Sequence, residues 1–110
     1  MVEARVPPFV VSGCLHRALG PLVKVEFADG LVLRFTPVEA SSLSFALAAV
    51  RCGISPEREI YLSPIASDAA FVGAVRDGGI GIAVRTGTLE LDWPGAGRLA
   101  DALAAAIGQG

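Results

Sequence analysis

The chain is poor in the side chains that most site chemistry uses. It has one histidine, His16, and two cysteines, Cys14 and Cys52, among 110 residues. Zinc takes about three or four nitrogen, sulfur or oxygen ligands. No second Cys/His cluster accompanies Cys14 and His16, so no metal site is expected. The cysteines are far apart and outside any CxxC spacing, which reads as two reduced, semi-buried thiols in a cytoplasmic protein. No cofactor is expected either. Gly78-Gly79-Ile80-Gly81 precedes a strand instead of opening a helix, so it matches neither the dinucleotide fingerprint nor the Walker loop.

Charge is also scarce. Charged residues make up 18% of the chain, against about 25% in an average globular protein. Net charge is −2, Lys24 is the only lysine, and the arginines are spread singly. No basic cluster marks a phosphate-backbone track, so no nucleic-acid partner is expected. Arginine over lysine, with abundant Ala and Gly, is the pattern a GC-rich bacterial genome produces. Long apolar runs are missing as well. The most apolar helical segments, 45–50 and 102–107, fall far short of the ~20 residues that cross a bilayer, so no membrane partner is expected. Residues 2–8 lack a basic segment followed by an unbroken apolar stretch, and do not read as a signal peptide.

Apolar side chains are what the chain has in excess. They form 53% of it, against about 45–50% on average, and mean hydropathy is +0.59. A single domain over residues 1–110 buries roughly 65% of its unfolded surface. The remaining apolar surface calls for a covering partner, most simply a second copy in a homodimer, otherwise another protein.

The order of elements shows a repeat. Residues 22–28 and 31–35 alternate as a hairpin, with Asp29-Gly30 at its turn. Thr36-Pro37-Val38-Glu39 then forms a capping box, opening a helix that runs to about Arg51 and stops at Gly53. Ala40, Leu43, Ala46, Leu47 and Val50 make its apolar stripe. Residues 80–85 and 88–92 form a second hairpin. Asp92 caps a second helix opened by Pro94, with the stripe Leu99, Ala102, Leu103, Ala106 and Ile107. The helical stripes match at an offset of 56 residues and the first hairpin strands at 57, giving pseudo-repeats of about 5–53 and 58–108. The fold class read from this is α+β: one mainly antiparallel sheet of five to seven strands, two long helices on one face, and an internal duplication of a hairpin–helix unit.

The intervening segments are less regular. Residues 5–11 read as a first strand, which Pro7 and Pro8 push to a sheet edge or delay to Phe9. Residues 14–20 read as a connector with one helical turn over 15–19, and 59–63 as a short strand. Residues 63–79 read as a helix capped by Ser67 and stopped at Asp77-Gly78-Gly79. Phe71, Gly73 and Val75 also alternate as a strand would. Gly95 and Gly97 weaken the first turn of the second helix, and 108–110 read as a frayed tail.

No catalytic constellation emerges. His16 and Arg17 beside Cys14 could form a thiol site, but a loop histidine is the plainer reading, and no third group is apparent. Ser67 and Asp68 are placed to cap a helix. Trp93, the only tryptophan, packs at the core edge or anchors an interface. His16, Arg17, Ser67, Asp68 and Trp93 are therefore the candidate binding residues. The leading function is a small non-enzymatic binding or assembly protein, a homodimer or a subunit of a larger complex. A second reading is a small-molecule or minor enzymatic site in which the Cys14, His16 and Arg17 segment meets residues 63–68. A third is an inhibitor or immunity-type protein that blocks a partner.

Overall fold

Alternation in the first third of the chain builds a meander. β1 (Phe9–His16), β2 (Gly20–Phe27) and β3 (Val32–Phe35) pair antiparallel in that order. The computed structural model describes residues 7–107. The expected strand start at 5–6 and the frayed tail at 108–110 lie outside the described residues. Pro7 and Pro8 do act on β1: it begins at Phe9 and forms a sheet edge.

The expected helical turn over 15–19 is replaced by strand. Leu15 and His16 pair with Pro21 and Gly20, and the chain reverses in three residues. Gly20 takes the left-handed conformation (φ 77°) that closes such a loop. Ladder pairing outweighs an isolated helical turn, which fixes several dihedrals for a single bond. The next turn forms as the Asp-Gly pair predicts, with the Gly30 amide donating to the Phe27 carbonyl at 2.9 Å.

α1 (Pro37–Arg51) opens on the predicted capping box. The Thr36 hydroxyl accepts from the Glu39 amide at 3.2 Å, and the Glu39 carboxylate accepts from the Thr36 amide at 2.8 Å. Of the expected stripe, Ala40, Leu43, Leu47 and Val50 are buried. Past Arg51 the chain leaves the helix at Gly53, again left-handed (φ 73°).

The second half carries four strands. β4 (Glu59–Leu62), β5 (Phe71–Arg76), β6 (Gly79–Val84) and β7 (Gly87–Asp92) form a separate antiparallel sheet in that order. The helix expected over 63–79 is therefore corrected: its second half is β5. The alanines there favour helix only weakly. Pairing with β4 and β6 overrides that preference, because it sets Phe71 opposite Leu62, Gly73 between Ile60 and Ile82, and Val75 opposite Ile80 on one face. Gly73 is the key residue. A Cβ there would lie 2.6 Å from Ile80 Cδ1 and 3.1 Å from Phe71 Cε1.

The expected single sheet is also corrected to two, of three and four strands. The outward edge of β3 takes a side chain in place of a strand. Ser67 Oγ accepts from the Arg34 amide at 2.7 Å and donates to the Arg34 carbonyl at 3.2 Å. One serine satisfies both backbone groups there, and the ladder stops.

α2 (Trp93–Ile107) starts one residue before Pro94, with Asp92 Oδ1 accepting from the Gly95 amide at 2.8 Å. Its glycine-rich first turn is buried, with Gly95, Ala96 and Gly97 all inside. The bare surface of Gly97 faces the Arg51 guanidinium, which a Cβ would approach to 3.1 Å. α1 and α2 pack on each other, and one cluster of apolar side chains joins both helices to both sheets. The two hairpins share a register: Val25 pairs with Leu33 and Val23 with Phe35, as Ile82 pairs with Leu89 and Ile80 with Leu91.

Candidate functional site

The candidate residues occupy three separate places. Cys14 and His16 are near the end of β1, and Arg17 is exposed in the turn that follows. His16 Nδ1 accepts from the amides of Ala18 (3.0 Å) and Leu19 (3.1 Å), so this imidazole organises its own turn. Cys14 is half-buried, and its thiol and that of Cys52 are both free.

Ser67 sits against β3, as described above, and Asp68 is exposed beside it. Ser12 pairs with Lys24 and Lys24 with Arg34, so Ser67 lies beyond one edge of the sheet whose other edge is β1. At least two strand spacings, about 10 Å, separate the histidine segment from the serine segment. The structure does not bring the two together.

Trp93 is half-buried at the start of α2. Its indole N–H donates to the Asp77 carbonyl at 2.8 Å, fixing the helix to the turn between β5 and β6. The ring packs against the main core cluster.

The seam between the two halves holds the most developed polar contacts. Besides closing its capping box, Glu39 accepts from the Ile65 amide at 3.0 Å. Asp29 accepts from the amides of Leu31 (3.1 Å) and Thr86 (2.9 Å) and from the Thr86 hydroxyl (3.2 Å). Desolvation pushes the Asp29 carboxyl up. The donors of Leu31, Thr86 and Arg85 outweigh it and hold the group below its ordinary value of 3.8. These carboxylates are committed to holding the fold together.

Two surface features escaped the reading of the sequence. One is the outward face of α1, where Phe45 is 78% exposed and Val38 76%. Its signal was available, since both residues lie off the apolar stripe. The other is a cavity of about 460 Å³ between β1 and the end of α2, lined by Gly13, Leu15, Leu22 and Ile107 among others. Cys14 is the only member of the proposed thiol segment that lines it. Its signal lay in tertiary contact alone. Among the described residues, no group of three His, Cys, Asp or Glu side chains is placed to hold a metal ion. No described helix is long and apolar enough to cross a membrane.

No family model matches this chain, and comparison with curated proteins and with solved structures finds none similar to it.

Proposed function

We propose that this is a small non-enzymatic binding and assembly protein, acting as a homodimer or as a subunit of a larger complex. The observation that carries the reading is the outward face of α1. Val38 and Phe45 stand two turns apart on it, with Ser41, Ser42 and Ala48 exposed between and beyond them. No charged side chain occurs from Ala40 to Val50. A helix facing water ordinarily carries charge on that side, as α2 does with Arg98 and Asp101. Large exposed apolar side chains without charge mark a surface that another protein covers. The free thiols of Cys14 and Cys52 suit a reducing, cytoplasmic setting.

The same reading takes the chain as a duplicated hairpin–helix unit with its two long helices on one face of the strands. Two contacts support this. Ser44 Oγ donates to the Ala100 carbonyl at 2.8 Å, and these residues are equivalent at the helical offset of 56. Asp29 meets Thr86, equivalent at the hairpin offset of 57. Equivalent residues touch each other where they lie near a two-fold axis.

Two measurements test the proposal. Native mass spectrometry of the full chain at micromolar concentration is expected to give twice the subunit mass; a bare monomer would end the homodimer reading. Phe45→Ser is expected to lower the fluorescence of an apolar-surface dye while leaving the thermal midpoint unchanged. Unaltered dye binding would remove α1 as the binding face.

A further inference from the structure

We infer that β1 is the strand through which two copies of this chain join, edge to edge and antiparallel; the inference rests on the homodimer reading above. The Pro8 carbonyl accepts from the Ala28 amide at 3.0 Å, and Val10, Ser12 and Cys14 stand opposite Glu26, Lys24 and Leu22. In an antiparallel ladder, hydrogen-bonded and non-bonded pairs alternate. The even-numbered residues therefore bond to β2, and the backbone groups of Phe9, Val11, Gly13 and Leu15 point away from it. Among the described residues, no strand pairs with that outer edge.

Natural edge strands are guarded by charge, proline or a bulge. Residues 9–15 contain no charge and no proline, and their register with β2 is unbroken. Such an edge suits a strand that is itself uncharged, and β1 of a second copy meets that requirement. With no charge on either strand, a two-fold pairing opposes no like charges.

Gly13 supplies the shape argument. Cavities of about 460 and 260 Å³ both border it, on the side of Ala102, Ala105, Ala106 and Ile107 of α2. A Cβ built at Gly13 would meet nothing within 4 Å. In the two-fold register that sets Ser12 opposite Ser12 of the second copy, Val11 of the second copy stands opposite Gly13. The β-branched side chain then enters the space that the glycine leaves. The same register sets Phe9 opposite Leu15, covering a leucine that is 84% exposed in the single chain. It pairs odd positions with odd, so the apolar face of β1 remains on the side of α2.

The test is a cross-link at the symmetry axis. Ser12 and its copy form a non-hydrogen-bonded pair, with Cα atoms about 4.5 Å apart, within the span a disulfide bridges. Ser12→Cys is introduced with Cys14→Ser and Cys52→Ser, and the full chain is mildly oxidised. A disulfide-linked dimer is expected on a non-reducing gel. Leu15→Lys, at an exposed position, is expected to weaken the dimer about tenfold or more without changing the circular dichroism of the monomer. A dimer by native mass that neither cross-links through Ser12→Cys nor responds to Leu15→Lys would overturn the β1 interface and leave the homodimer reading intact. A monomer by native mass would overturn both.

Discussion

Asp29, in the turn between β2 and β3, accepts from both the amide (2.9 Å) and the hydroxyl (3.2 Å) of Thr86, in the turn between β6 and β7. The two turns hold the same place in two hairpins of identical register, and one carboxylate joins them. Because its donors hold Asp29 below its ordinary value of 3.8, the contact is linked to pH. Its contribution to stability is fully present above that value and is lost as pH falls through the lower folded-state value. Denaturant midpoints of wild type and Asp29→Asn should therefore differ at neutral pH and converge as acidification carries the pH below 3.8 and through the lower folded-state value. A gap that stays constant on acidification would show that Asp29 does not act through its charge.

Glu39 does two jobs and Thr36 one. Thr36→Ala removes an N-cap acceptor, expected to cost about 1 kcal/mol. Glu39→Ala removes the reciprocal cap bond and also frees the Ile65 amide, which joins the two halves. Urea unfolding should rank Glu39→Ala as the more damaging change. The reverse order would mean that the Ile65 contact contributes nothing.

Gly73→Ala tests why β5 is a strand that only a glycine completes. The new methyl would lie 2.6 Å from Cδ1 of the fully buried Ile80 and 3.1 Å from Phe71 Cε1, so the core side chains must shift to admit it. Overpacking of this kind costs about 1–3 kcal/mol, read as a lower urea midpoint with an unchanged slope. A neutral or stabilising result would show slack in the core between β5 and β6.

Ser67→Ala should free the edge of β3 without unfolding it. Both bonds to Arg34 are exposed, so water replaces them and the expected cost is about 0.5–1.5 kcal/mol. Hydrogen exchange at the Arg34 amide should quicken, while the Val25 amide, facing Leu33 across the ladder, keeps its protection. Unchanged exchange at Arg34 would mean that another group guards that edge.

Much of the local structure was legible from spacing. Asp29-Gly30 marks a hairpin because a tight turn needs a positive φ that glycine adopts freely. Thr36-Pro37-Val38-Glu39 marks a helix start because those four residues satisfy its open donors among themselves. Residues 63–79 were misread because serine, alanine and paired glycines punctuate helices and hairpins alike. Ser67 proved to be neither a helix cap nor part of a site shared with His16, since its partner is the backbone of a residue 33 positions away.

By itself the sequence determined the α+β class, the two helices with their caps, the two matched hairpins and most of the core, because each follows from interactions within a few residues. Only the tertiary structure decided that the strands divide into two sheets, that β5 is a strand and that, among the described residues, no strand pairs with the outer edge of β1 above Gly13. Those outcomes depend on which distant groups compete for the same backbone bonds and the same apolar space, and no local pattern encodes that competition.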